Sequence, residues 1–173
     1  MQTWQAVVIL LGVVVLVYLA MWRGWRHRAA RHDLLPLVPV PPAADLPEPI
    51  LAGSARCFGT TTAGDWLDRV VAEGLGARSP CRVNLSTEGL DVVRPAVSFR
   101  IPVAALRGAR HDQGIAGKVV PPHGVLVVTW QHGDLTLDTG FRLTDESVGD
   151  HGVTEAHNAW IRAISKMAKE NAL

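Results

Sequence analysis

The residues best suited to chemistry near the N-terminus are the basic and aromatic side chains of Trp22–His32, which read WRGWRHRAARH. These eleven residues include four arginines, two histidines and two tryptophans. Arginines neutralise phosphates and aromatic rings stack on bases, so this composition is typical of single-stranded nucleic-acid binding. The apolar residues that precede the segment decide against that interpretation, and no nucleic-acid partner is predicted.

The preceding run, Ala6–Met21, reads AVVILLGVVVLVYLAM and carries no charge. From Trp4 to Trp22 there are nineteen residues, which as a helix would extend about 28 Å and cross the hydrocarbon core of a bilayer. A cleaved secretory signal is the alternative, but no basic residue precedes the run and no small-residue cleavage site follows it. The sequence therefore predicts a retained transmembrane helix.

All the arginines of WRGWRHRAARH follow the apolar run. Positive charge favours the cytoplasmic side of a membrane, and tryptophan favours the level of the headgroups. We therefore predict a single-pass protein of the cell membrane, with a short N-terminus outside and the C-terminal domain in the cytoplasm. The residues predicted at the membrane interface are Trp4, Trp22, Arg23, Trp25, Arg26, Arg28 and Arg31.

Composition along the 173 residues predicts four parts. They are a transmembrane helix at 1–22, a basic juxtamembrane segment at 23–33, a proline-rich linker at 34–51 and a cytosolic domain at 52–173. Six prolines between Pro36 and Pro49 favour polyproline II, which would give this stretch a length of about 43 Å. The linker is therefore predicted to hold the domain away from the bilayer.

The cytosolic part alternates short β-type runs with turn signals. Asp65 is a plausible N-cap for a helix whose apolar residues run from Trp66 to Leu75 at helical spacing. The strands are predicted at Ser54–Thr61, Cys81–Leu85, Leu90–Arg94, Val97–Ile101, Ala105–His111, Val125–Trp130 and Leu135–Phe141.

The chain closes with a predicted amphipathic helix from about Val153 to Ala172, whose apolar stripe is Ala156, Trp160, Ile164 and Met167. Seven antiparallel strands in meander order followed by one helix predict a mainly β fold. We expect a small two-sheet sandwich or open barrel whose uncovered end is plugged by the C-terminal helix.

Four runs of the domain resemble a known family. They are FGTTTAGDWLDRVV from Phe58, GIAGKVV from Gly114, LVVTW from Leu126 and DTGF from Asp138. They are similar to actinobacterial single-span membrane proteins that carry a bacterial pleckstrin-homology-like (PH-like) domain. The resemblance implies two packed antiparallel sheets capped by a helix, and it implies no particular chemistry. Members are often encoded among pyrimidine-biosynthesis genes, which implies a partner.

No catalytic, metal or cofactor site is predicted. Cys57 and Cys81 have no CxxC spacing and are predicted as buried thiols, although adjacent strands could bring them within reach of a disulfide. GIAGK lacks the Ser or Thr of a phosphate-binding loop, so we interpret it as a turn. The domain's histidines show no close ligand spacing; they are His111, His123, His132, His151 and His157.

The function predicted is a non-catalytic binding or scaffolding module that recruits a cytosolic protein to the membrane. Alternatives are a lipid-headgroup sensor and an adaptor for pyrimidine-biosynthesis enzymes. Recognition of a specific lipid is disfavoured, because the basic residues near the first strands are scattered. The partner is expected at the exposed loop from Gln113 to His123, with Gly114, Gly117 and Lys118 between them.

Overall fold

The computed structural model describes residues 3–30, 36–144 and 150–171. It divides into two compact units, Met1–Asp33 and Leu34–Leu173. The first unit contains the helix α1, Thr3–Ala30. Its window Val7–Gly24 is long and apolar enough to cross a membrane, and none of that window is buried inside the protein. The exposed apolar surface is what a helix needs if lipid is to surround it.

The second unit contains a β domain and a C-terminal helix. Seven of its strands form one antiparallel sheet in the order β4-β3-β2-β1-β9-β8-β5, and β6 and β7 form a separate hairpin. The elements are β1 Leu51–Thr62, β2 Ser79–Ser86, β3 Gly89–Val93, β4 Phe99–Pro102, β5 Leu106–Asp112, β6 Gly114–Ile115, β7 Lys118–Val119, β8 Val125–His132, β9 Leu135–Leu143 and α2 Asp150–Glu170.

The sheet curls into an open barrel. Its two edge strands, β4 and β5, are joined by the single 3₁₀ turn Val103–Ala105 and do not pair with each other. The register of β1 against β9 shifts between Cys57 and Gly59, where a bulge bends the strand. A side chain at position 59 would lie 2.9 Å from the carbonyl oxygen of Gly76, so only glycine fits this bend. The predicted mainly β fold is confirmed.

Helix α2 packs chiefly against β5, beside the gap between the two edges. Trp160 and Ile164 of the predicted apolar stripe are buried in the core with Phe99, Trp130 and Phe141 of the sheet. The other two members of the stripe pack against the same core. The predicted helix is therefore confirmed, although it begins at Asp150.

The helix predicted after Asp65 is wrong. The carboxylate of Asp65 does accept backbone hydrogen bonds from Leu67 and Asp68, at 3.0 and 3.2 Å, as an N-cap would. The chain then turns back instead of continuing, because the Val70 amide donates to the carbonyl oxygen of Thr60 in β1 at 3.0 Å. Pairing with the end of the strand outcompetes the helical period.

The proline-rich segment contacts the domain where a free spacer was predicted. The amide of Arg100 in edge strand β4 donates to the carbonyl oxygen of Val38 at 2.8 Å. Leu37 packs against the core. An edge strand presents unpaired backbone groups, and the extended conformation that proline imposes on this segment suits it to cover them. The spacer prediction is therefore wrong for residues 37–38.

The hairpin β6–β7 covers part of the outer face of the barrel. Ile115 is buried in a small second core with Phe58, Val125 and Val127. The Ile115 side chain packs against Gly140 in β9, where the absence of a side chain leaves room for it. A Cβ atom at position 140 would lie only 2.6 Å from Ile115 Cγ2. The segment predicted as a loop is thus a packed hairpin seated over a glycine.

We expect Gly140→Ala to destabilise the domain by about 1–3 kcal/mol, because the added methyl group overlaps Ile115. Ile115→Ala alone should cost about 2–5 kcal/mol by leaving a cavity. The double variant should cost less than the sum of the two, since the new methyl group then enters vacated space. Denaturant unfolding of all three variants measures this coupling, and strictly additive losses would contradict the packing described.

Candidate functional site

Two long connecting segments, which we call excursions, leave the barrel and meet over its outer face. One, residues 63–78, connects β1 to β2, and the other, residues 113–124, connects β5 to β8. The amide of Gly117 donates to the carbonyl oxygen of Trp66 at 3.2 Å. The guanidinium of Arg69 donates to the carbonyl oxygens of Ala116 and Gly76. These bonds fix the two excursions to each other.

A cleft of about 500 Å³ opens between the two excursions and the sheet. We call it the outer cleft. Its lining combines polar side chains of the sheet with apolar side chains of the excursions. The lining residues are Thr61, Gly64, Trp66, Arg110, Asp112, Gln113, Gly114, Ile115, Val119 and Asp138.

The floor of the outer cleft is an ion pair between β5 and β9. Arg110 Nη2 donates to Asp138 Oδ2 at 2.8 Å and Arg110 Nη1 to Asp138 Oδ1 at 3.2 Å. Thr129 Oγ1 donates to the same carboxylate at 2.6 Å. The hydrogen bonds and negative charge of Asp138 raise the pKa of Arg110, so the guanidinium stays charged. Every oxygen of this buried carboxylate is therefore engaged.

Apolar side chains of the two excursions flank the cleft. Trp66 is 45% exposed, although its ring approaches Gly114 so closely that a Cβ there would lie 3.5 Å from Trp66 Cε3. Val119 lines the cleft and is 75% exposed. Leu67, which follows Trp66 and lies outside the lining, is 62% exposed, and its Cδ2 is 4.0 Å from where a Cβ on Gly117 would lie. Large apolar side chains grouped on a surface are typical of a contact with another molecule.

The residues predicted as a partner loop lie on this structure but not all at the cleft. Gln113 and Gly114 line it. Gly117 has a φ of +71° in the β6–β7 turn, and Lys118 is exposed on β7. His123 is exposed at the far end of the excursion, where its carbonyl oxygen faces His157. Their role in binding stays a prediction.

Sequence reasoning missed three residues of the cleft as a group. Trp66 was assigned to a helical face, and Arg110 to an ordinary strand. Asp138 was placed in the predicted strand Leu135–Phe141 with no indication of its environment, and in the structure it is buried. The alternating pattern of each strand indicates that Arg110 and Asp138 lie on the same face of the sheet. The sequence does not indicate which strands are neighbours, so it could not place the two residues together.

The predicted interface residues are placed in part. Trp4, Trp22 and Arg23 are exposed on α1. That helix continues past the apolar window, so Trp25, Arg26 and Arg28 belong to it as well. Arg31 lies outside the described residues.

The two cysteines are free and buried, as predicted. Cys81 in β2 is opposite Ala55, and Cys57 in β1 is opposite Ser79, so the two cysteines are offset by two residues along the paired strands. Burial raises the pKa of both thiols, that of Cys81 to about 12. Both are therefore protonated and unreactive at neutral pH.

Three histidines cluster beside the outer cleft. The His111 ring lies 5.0 Å from that of His123 and 5.9 Å from that of His157. His157 is fully buried: its Nε2 accepts from the Leu143 amide and its Nδ1 donates to the carbonyl oxygen of His123, each at 3.2 Å. Burial lowers the pKa of His157 to about 4. This neutral side chain ties α2 to β9 and to the second excursion. Among the described residues, no three His, Cys, Asp or Glu side chains are grouped to hold a metal ion.

Comparison with known families supports the fold. The model of a family described as Bacterial PH domain-like matches residues 35–158. The match begins just before the proline-rich segment that covers β4 and ends within α2. It therefore includes both excursions and the outer cleft. No curated protein matches the chain.

We expect the free energy of unfolding to fall as the pH drops from 6.5 towards 4. The unfolded chain binds a proton at His157 near pH 6.5, whereas the folded chain does so only near pH 4, so acid favours unfolding. The full effect is about 3 kcal/mol. Denaturant unfolding of the detergent-solubilised protein at several pH values measures it. His157→Gln should flatten this dependence and His132→Gln should not; equal slopes in all three proteins would contradict the assignment.

Proposed function

This chain belongs to the Bacterial PH domain-like family, and on that premise we propose that it is a membrane-anchored, non-catalytic module that recruits a cytosolic protein. The family points to a binding or scaffolding role. The finer assignment, with the anchor in the cell membrane and the domain in the cytoplasm, is our proposal. Because the sequence resembles proteins encoded among pyrimidine-biosynthesis genes, enzymes of that pathway are the first partners to test.

The anchor is supported by the surface of α1. Eighteen consecutive residues, Val7–Gly24, form a helix whose apolar side chains are all turned away from any protein core. In water such a surface would be strongly unfavourable, whereas in lipid it is matched to its surroundings. The arginines that follow support the cytoplasmic orientation of the domain.

The partner site is supported by one observation above the others, the exposed apolar rim of the outer cleft. Leu67 and Val119 come from different excursions, which backbone and guanidinium hydrogen bonds hold together. Because the backbone of the rim is already fixed, little conformational entropy is lost on binding. Most of the free energy gained by burying the apolar side chains therefore contributes to affinity. The cleft itself offers polar groups that would fix the orientation of the bound segment.

A non-catalytic role is supported by how the polar groups of the cleft are paired. The buried Asp138 is held by Arg110 and Thr129, an arrangement that fixes the carboxylate in place and stabilises its ionised form. The Arg110 guanidinium is charged and cannot accept a proton. The geometry is therefore suited to recognition.

Membrane orientation can be measured with single cysteines, since both natural thiols are buried. A membrane-impermeant maleimide should label Gln2→Cys on intact cells. It should label Glu170→Cys, at an exposed position of α2, only after the cells are permeabilised. The reverse pattern would overturn the orientation, and loss of α1 from the mature protein would show a cleaved signal instead of an anchor.

We expect the double variant Leu67→Ser/Val119→Ser, purified in mild detergent, to lose at least about tenfold of its captured cytosolic partner, because two apolar contacts of about 1 kcal/mol or more are removed. Quantitative mass spectrometry of the co-purified proteins measures the loss. These point changes are preferable to deleting residues 113–123, because that deletion would also remove Ile115 from the second core and the carbonyl that binds His157.

The matched control is Ile50→Ser, an exposed apolar residue (53%) that does not line the outer cleft. It should leave capture unchanged. Equal capture by wild type and the double variant would place the partner elsewhere. If no protein is captured and the chain binds anionic but not zwitterionic bilayers through its domain, the lipid-sensing alternative would replace the proposal.

A further inference from the structure

We infer that the outer cleft receives a cationic side chain, arginine or lysine, from an extended segment of the partner protein. The inference rests on the proposed function, since it names the chemistry of the partner at the same site. It is carried by three features of the cleft: its charge, an incompletely used carboxylate, and an exposed indole ring beside that carboxylate.

The charge of the outer cleft is negative. Its ionisable lining residues are Arg110, Asp112 and Asp138, which carry one positive and two negative charges. The single cation is paired through two nitrogens with Asp138, and its Nη2 also makes a 3.4 Å contact with Asp112. Among the described lining residues, an entering anion would meet two carboxylates and one arginine that is already paired with both, whereas an entering cation would neutralise the excess negative charge.

Asp112 is the carboxylate that can accept a further hydrogen bond. Its Oδ1 accepts the amides of Gln113 and Gly114, at 2.8 and 3.3 Å, which fixes the side chain in place. Its Oδ2 makes only a long contact of 3.4 Å with Arg110 Nη2. About a third of the side chain (32%) is exposed. A guanidinium or ammonium group could thus donate to an oriented oxygen, which is the stronger kind of hydrogen bond.

Trp66 supplies the second contact that a cation needs. Its backbone is held by the bond to Gly117 and its ring lies against the backbone of Gly114, the residue whose amide binds Asp112. The indole and the Asp112 carboxylate therefore flank the same short stretch of chain. A cation within about 6 Å of an indole face is attracted by the ring quadrupole. The site has the composition that arginine recognition requires.

A peptide side chain fits better than a choline headgroup, which is also cationic. A quaternary ammonium has no N–H to donate to Asp112 Oδ2, so it would leave that oxygen unused. The exposed Leu67 and Val119 extend the contact surface beyond the cation, as neighbouring residues of a peptide would require. The cleft volume of about 500 Å³ exceeds that of one side chain, so flanking residues can enter.

The experiment uses the full chain in a maltoside detergent, which has no choline, with N-acetyl-arginine methylamide as the probe. The indole N–H signal of Trp66, assigned by its loss in Trp66→Phe, should shift and saturate on titration. The neutral citrulline analogue, which has nearly the same shape, should shift it at least tenfold less. Asp112→Asn keeps Oδ1 for the two amides and should weaken arginine binding at least fivefold. Asp134→Asn, at the exposed β8–β9 turn, should leave it unchanged.

The inference is overturned if the citrulline analogue or an acetylated glutamate binds as well as arginine, if Asp112→Asn has no effect, or if phosphocholine competes at the same concentration. Failure here is distinguishable from failure of the proposed function. Partner capture that survives without arginine binding would retain a protein partner with another chemistry. Arginine binding without capture would retain the site and reject the recruitment.

Discussion

The curling of one sheet around a single core, with its two edges left unpaired, is the constraint from which the rest of the domain follows. Only three residues connect β4 to β5, yet the backbones of these two edge strands do not pair. Unpaired edges expose hydrogen-bonding groups and the apolar interior between them. Helix α2 covers the apolar interior by inserting Trp160 and Ile164 beside β5. The proline-rich segment covers backbone groups of β4 through the bond between Val38 and Arg100.

A second layer is built on the outside of the same sheet. Small residues at its surface make this feasible, because Gly140 leaves a hollow that Ile115 fills. Once that hairpin is seated, it supports the first excursion through the Trp66 carbonyl and the Arg69 side chain. The outer cleft is the space that remains between the layers. The floor of the cleft is part of the barrel. Arg110 and Asp138 are therefore held in position by the paired strands β5, β8 and β9.

The sequence is sufficient to predict those parts of the fold that depend on local alternation. The β2–β3 and β8–β9 hairpins have period-2 patterns and short turns, and both form where expected. The apolar stripe of α2 repeats at helical spacing, and Trp160 and Ile164 are buried accordingly. Local periodicity failed at Trp66–Leu75, because Val70 pairs with Thr60 of β1 instead of continuing a helix.

The outer cleft could not be predicted in the same way. Arg110 and Asp138 are brought together only because β8 lies between their strands, with Thr129 opposite Asp138. That order depends on β5 pairing with β8 across the second excursion, which no local pattern indicates. The partner loop was predicted from its exposure and its glycines. Its most buried member, Ile115, shows why such a segment is ordered: one apolar side chain in a matched hollow is enough to seat it.

The bridge between Val38 and Arg100 has a mechanical consequence. Tension that enters the domain from its N-terminal side meets this hydrogen bond and the packing of Leu37, and then the bond from the Ile50 amide to the Leu85 carbonyl oxygen next to β1. One such bond contributes about 1 kcal/mol. Breaking the bond at Val38 would release residues 38–49, roughly 40 Å of contour length, while Ile50 stays bound to Leu85 and the barrel stays folded. The segment can therefore lengthen the connection to the domain under load without unfolding the domain, and it lies against the sheet when there is no load.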